Sequence, residues 1–189
     1  FGAVIAYALQ SLAITTILLY SFFIDYAISL LFITCLVFIV KVILAPWFFT
    51  RLIKKNELIF SASTYLNTPT TLIVIAVLTA IAHSSKFIPL TTIITTNKVV
   101  LSLALSAMLL SIFLTINRKS ALSQIIGILS LENSIVAFAI FAGLEQSFSL
   151  QIGILFDIGV WLVIATVFAS MIYKHFGSLD VSSMKKLID

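Results

Sequence analysis

The chain has 189 residues, 61% of them hydrophobic and 10% charged, whereas a soluble domain of ordinary composition is roughly a quarter charged. A mean hydropathy of +1.23 leaves too little polar surface to clothe a domain in water, so the solvent is lipid. Six Gly and three Pro exclude collagen-like and Pro-rich disordered chains, and the net charge of +4 does not point to nucleic acid, because no basic face runs along any segment.

A helix needs about 20 apolar residues to cross the hydrocarbon, and polar punctuation divides the sequence into six such stretches. The first, Phe1 to Ser21, opens without an initiator Met, so a few residues are expected to precede it. A cleaved signal peptide fits poorly, since no small-residue cleavage site leads into a polar mature domain. The second, Tyr26 to Phe49, carries Lys41 and Pro46, and the proline is expected to kink the helix and free backbone carbonyls. The third, Thr70 to Ser84, is broken up by His83, Lys86 and Pro89, with Phe87 to Ile94 as an interfacial continuation. The last three run from Lys98 to Asn117, Ser120 to Leu144 and Phe148 to Tyr173. Continuous apolarity without period-two alternation excludes a β-barrel.

The expected fold is therefore all-α, a polytopic membrane bundle of about six spans. Residues 1–95 hold three N-terminal helices, 96–175 a second three-helix unit and 176–189 a polar tail in which Leu179, Val181, Met184 and Leu187 give an amphipathic pattern. No internal repeat suggests an inverted-repeat transporter.

Orientation follows from Lys and Arg. Arg51, Lys54, Lys55, Arg118, Lys119, Lys174, Lys185 and Lys186 fall on alternate connections, against Asp25, Lys86 and Glu145 on the other side with Lys98 at a helix edge, so both termini are expected in the cytoplasm or its matrix or stromal equivalent. Trp47, Phe48, Phe49 and Tyr173 lie at basic helix ends, as interfacial aromatic belts do.

The informative residues are the charges that cannot easily reach water, each costing at least about 2.5–3.5 kcal/mol at the bilayer centre. Glu132 stands 13 residues from both Lys119 and Glu145, roughly 20 Å of helix from either, and is read as a protonatable relay site or else as a neutral acid gluing helices through Asn133 or Ser130. Asp157 lies about a third of the way in, with Gly153 and Gly159 beside it to allow close helix approach. Lys41 is either a snorkelling lysine or an intramembrane counter-ion for a carboxylate. His83, His175, Lys86, Lys98 and Glu145 are expected at interfaces, Trp161 in packing and Cys35 as a small buried apolar residue. One cysteine excludes an intrachain disulfide and any zinc site or Fe–S cluster ligated by this chain's cysteines. No HExxH, P-loop, GxGxxG or Ser/His/Asp arrangement is present, so the chain is read as non-catalytic and without a cofactor of its own.

Three features then occur in order: a helix ending in Asn117-Arg118-Lys119, a helix carrying Gly127-Ile128-Leu129-Ser130-Leu131-Glu132-Asn133, and a helix with Asp157 that runs into Phe176-Gly177-Ser178-Leu179-Asp180-Val181. Over residues 100 to 185 this resembles the small NuoK-type subunit of respiratory complex I. More closely, the chain resembles hydrogenase-4 component E, a longer relative in formate hydrogenlyase-type complexes. The resemblance implies a membrane subunit in a prokaryotic inner or plasma membrane, with antiporter-like and other membrane subunits as partners. It also implies that nickel–iron and Fe–S centres reside only in partner subunits. Intramembrane acids on a proton or Na⁺ path would then be Glu132 and Asp157, with Lys41 beside them. In the complex I pattern the acid precedes the Asn by four residues, at the position of Leu129 here, so Glu132 sits on the same helix face about one turn along. The alternatives are a NuoK-like subunit of a complex I or multisubunit cation/proton antiporter relative, a self-contained transporter, and a purely structural membrane subunit.

Overall fold

The computed structural model describes residues 2–25, 28–55, 64–84, 98–143 and 148–176. Within them the chain forms α1 (Gly2–Asp25), α2 (Ile28–Val37), a π-helical segment Phe38–Leu44, α3 (Ala45–Lys55), α4 (Thr68–Ala82), α5 (Lys98–Asn117), α6 (Ala121–Phe141) and α7 (Phe148–Phe176). Helices occupy all six expected stretches, and four of these are long and apolar enough to cross a membrane: Gly2–Phe23, Ile28–Lys54, Val99–Asn117 and Ala121–Phe141. Among the described residues Thr64 and Arg118 pair as an isolated bridge and no strand is formed. This is the outcome lipid imposes, because a backbone group without water must find its partner inside its own segment.

The outer surface is apolar and much of the interior is polar. Ile5, Leu9, Phe23, Phe32, Ile73, Val99, Phe156 and Val163 are exposed, while Ser11, Thr34, Lys41, Ser111, Asn117, Ser123, Asn133 and Ser134 are buried. A water-soluble bundle shows the opposite distribution.

Interior packing follows a spacing of three and four residues. The buried side of α1 is Val4, Tyr7, Ser11, Ile14 and Leu18, and that of α6 is Leu122, Ile126, Leu129, Asn133 and Val136. These are seam positions along the facing sides of two packed helices. Ile33 and Val37 of α2, Phe49, Leu52 and Ile53 of α3, and Leu155 and Ile158 of α7 complete the same core.

The second stretch differs from a simple kinked helix. Phe38–Leu44 is wound as a π-helix, with the amide of Ala45 bonded to the carbonyl of Val40 five residues back. Pro46 has no amide to donate, and its ring would strike the carbonyl four residues earlier in an α-helix, so the widened turn before it relieves that collision. Lys41 lies in the middle of the widened segment.

Two glycines are required by geometry. In α6, a Cβ on Gly127 would collide with Thr115 Oγ1 and lie 3.1 Å from the Thr115 Cα, so α5 and α6 approach at backbone distance. Gly143, with φ of 74°, ends α6 in the left-handed region. We expect Gly127→Ala to destabilise the protein by about 1–3 kcal/mol, as overpacking does. Thermal denaturation in detergent checks this, and Thr115→Ala in the same chain should recover part of the loss.

The α4 helix starts two residues earlier than expected, because Asn67 caps it by accepting the Thr70 amide at 3.0 Å, with Pro69 in the first turn. The segment before it is tied to the α5–α6 turn. The Tyr65 amide donates to the Asn117 carbonyl at 3.0 Å, the Leu66 amide to Asn117 Oδ1 at 2.9 Å, and Lys119 Nζ stands over the Tyr65 ring at 5.5 Å. Arg51 stacks on Trp47 at 5.2 Å, an amphipathic pairing suited to a headgroup boundary.

Candidate functional site

Glu132, Asn133 and Ser134 occupy one turn near the middle of α6, and Lys41 is the central residue of the span Ile28–Lys54. The two charges meet. Lys41 Nζ donates to Glu132 Oε1 at 2.9 Å and to Asn133 Oδ1 at 2.9 Å. Asn133 spends its other end on α1, where Nδ2 donates to Ser11 Oγ at 2.8 Å. Ser11 and Asn133 are seam residues of their helices, so the bond joins two positions that packing alone would fill with apolar side chains.

Lys41 is 1% exposed, which rules out snorkelling and leaves the counter-ion arrangement. Glu132 keeps 21% of its side chain accessible. Asp157 of α7 is close enough for its charge to interact with that of Glu132. It is itself exposed, and among the described residues no other helix comes within 4 Å of where a Cβ would stand on Gly153 or Gly159, so the expected close approach at these glycines is not made by the described helices.

A second network adjoins the first. Gln10 Nε2 donates to the Ser130 carbonyl at 3.0 Å and to Ser134 Oγ at 3.1 Å. Ser134 Oγ in turn lies 3.2 Å from Ser111 Oγ on α5. Because Gln10 and Ser11 are consecutive, one connected set of polar side chains runs from Glu132 and Asn133 on α6, through Lys41 of the π segment, to α1 and α5. Each helix-to-helix step is about 8–10 Å.

Lys41, Glu132 and Asp157 stand out in the sequence, but the partner of the acid is Lys41 rather than the expected Asn133 or Ser130: Asn133 bonds Lys41 and Ser11, and the Ser130 carbonyl accepts from Gln10. Sequence reasoning did not identify Gln10, Ser11, Ser111 or Ser134. Gln10-Ser11 in the middle of the first apolar stretch was the available signal, since a polar pair there must be bonded to another helix. Cys35, expected to be buried, is exposed, on a lipid-compatible face where a small apolar side chain fits as well as in a core. His83 caps the C-terminus of α4 and is exposed; its Nδ1 is 2.9 Å from the Thr79 carbonyl and 3.5 Å from Ser106 Oγ in mid-α5. Lys86, Glu145 and the side chains of Lys98, Tyr173 and His175 lie outside the described residues. Trp161 packs against the core as expected.

No protein family, curated protein or solved structure matches the chain.

Proposed function

We propose that this protein is an integral, multi-pass membrane subunit of a complex I-like, energy-converting hydrogenase complex, akin to hydrogenase-4 component E. In this reading it has six spans with both termini cytoplasmic, and it contributes Glu132, Lys41 and Asp157 to a proton or Na⁺ path driven by redox chemistry in partner subunits.

The observation that carries the proposal is the Lys41–Glu132 pair at 2.9 Å in mid-bundle, joined to polar side chains on either side. Isolated charges at this depth are costly and mark ion pathways, proton relays or counter-ions. A carboxyl group carries a proton, and Lys41 on a separate, π-wound segment supplies a counter-charge whose attraction falls inversely with distance. Displacement of that segment by a neighbouring subunit thus changes the proton occupancy of Glu132. Asp157, on the exposed side of α7, is the group positioned to pass the proton to a neighbour. The nickel–iron and Fe–S centres that would power the cycle belong to partners.

Purification in mild detergent tests the assignment. Antiporter-like subunits with a nickel- and iron-bearing arm, identified by mass spectrometry and metal analysis, are the expected companions. The same membrane partners with an NADH-oxidising or quinone-reducing arm would move the chain to a complex I relative. Isolation as a lone chain or homo-oligomer would overturn the proposal and leave a self-contained transporter as the reading to pursue.

A further inference from the structure

The side of α3 that faces away from the core carries a cationic cluster used neither by the packing nor by the polar layer around Lys41 and Glu132. Ala45, Phe49, Leu52 and Ile53 are buried, while Trp47, Arg51 and Lys54 are exposed, with Thr50 half-buried between them. The spacing of 47, 50, 51 and 54 stacks these four side chains along one stripe of the helix. An open recess of about 440 Å³ lies against them.

Arg51 and Lys54 stand three residues apart, where like charges repel, and among the described residues neither meets a carboxylate. Arg51 lies over the Trp47 ring at 5.2 Å, a contact that steadies the guanidinium without using its N–H groups. Thr50 donates its hydroxyl hydrogen to the Pro46 carbonyl at 2.7 Å, so the donors facing the recess are the two cations. Depth along the helix shows what they meet. Lys41 is the central residue of the span Ile28–Lys54, and Arg51, ten residues on, lies about 15 Å from it, half the roughly 30 Å thickness of the hydrocarbon. Trp47 falls about 6 Å inside that boundary and Lys54 about 4.5 Å beyond it. One turn deeper than Trp47, Ile43 and Leu44 are exposed, so apolar surface lies directly beneath the cations.

We propose that this stripe of α3 is a binding site for an anionic phospholipid, its phosphate held between Arg51 and Lys54 and its acyl chains lying along Trp47, Ile43 and Leu44. Arg supplies a planar fork and Lys a point charge, both suited to phosphate oxygens. A zwitterionic lipid brings its own cation beside the phosphate, which Arg51 and Lys54 repel, so the site selects by headgroup charge. A free phosphate ion would satisfy the cations but leave the apolar surface below them unused. The site depends on the placement of this span in the bilayer and is independent of the relay.

Quenching of Trp47 fluorescence by lipids brominated on their acyl chains tests the site, in the full chain reconstituted into phosphatidylcholine vesicles. The chain has two Trp, so Trp161→Phe leaves Trp47 as the reporter. Brominated phosphatidylglycerol should take the position beside Trp47 about fivefold or more in preference to brominated phosphatidylcholine. Arg51→Gln combined with Lys54→Gln should bring that ratio to about one, whereas Arg51→Lys should keep most of it. Both cations are exposed, so their neutralisation leaves the packing intact, which an unchanged Trp47 emission maximum checks. In a Trp47→Phe chain, Trp161 should report no such preference. Equal binding of the two lipids at Trp47 would overturn the site and leave the cations to an acidic protein segment. An unchanged ratio in the double variant, or the same ratio at Trp161, would overturn it as general attraction of anionic lipid to the protein. Loss of the preference in millimolar inorganic phosphate would also overturn it, in favour of a free-phosphate site.

Discussion

Replacing Glu132 with Gln should reduce ion translocation by the assembled complex by roughly tenfold or more, because a carboxamide at this depth keeps the shape of the acid but cannot carry a proton. Gln presents a carbonyl oxygen where Glu132 Oε1 now accepts from Lys41 at 2.9 Å, so the hydrogen bond to the π segment survives in geometry. The rest of the layer is untouched: Asn133 still bridges Lys41 and Ser11, and Gln10 still bonds Ser130 and Ser134. The measurement is the rate of proton or Na⁺ uptake by inverted vesicles alongside redox turnover. A complex that pumps and turns over as before would remove the relay role. Loss of translocation with the subunit still in place is the expected outcome.

The second large effect concerns Lys41. Changing it to Met leaves Glu132 as an unmatched acid in mid-bundle and frees Asn133 Oδ1, which now accepts from Lys41 at 2.9 Å. An uncompensated charge at this depth costs about 2.5–3.5 kcal/mol on insertion scales, more than the roughly 0.6–1.7 kcal/mol of an interhelical hydrogen bond in a membrane protein. Charge matching therefore outweighs hydrogen bonding in holding the π segment against α6. We expect Lys41→Met to lower the amount of assembled complex sharply, measured by native gel electrophoresis of solubilised membranes. Lys41→Met combined with Glu132→Gln removes both charges and should assemble better than Lys41→Met alone, as paired removal costs less than breaking a buried pair. The double variant should still not translocate ions, which separates the structural contribution of the pair from its part in conduction.

These two outcomes also show which parts of the site are written in the sequence. A lone Lys or Glu inside an apolar stretch stands out by itself, and helix arithmetic places each at mid-depth. That Lys41 and Glu132 touch is different: they are 91 positions apart, and no local pattern relates them. The packing seam is hidden for another physical reason. In water the outer face of α1 would be polar, and Val4, Tyr7, Ser11, Ile14 and Leu18 would stand out as the apolar stripe. In lipid the outer face, with Ile5, Leu9 and Leu12, is as apolar as the seam, so periodicity gives no signal. Small and polar residues carry that information instead, as Ser11, Asn133 and Gly127 do.

Other features were visible in kind but not in form. Pro46 announced a perturbation in the second span, yet the perturbation is a widened π segment placed before the proline, with Lys41 at its centre. Asp157 stands out as a charge, while the company it keeps depends on α7 packing through Leu155 and Ile158 and on the Gly153, Asp157 and Gly159 positions being left uncovered by the described residues. An acid on an uncovered face of an otherwise apolar helix is what a subunit passing a charge to a neighbour would present.

In the proposed role, Glu132 gains and loses a proton as the complex turns over. Infrared difference spectroscopy of the purified complex, reduced against oxidised, observes this directly through the carboxyl C=O band. The expected result is a difference band in the native complex that disappears in the Glu132→Gln variant. The same carboxyl difference spectrum in both proteins, or no carboxyl change on turnover in the native complex, would contradict it.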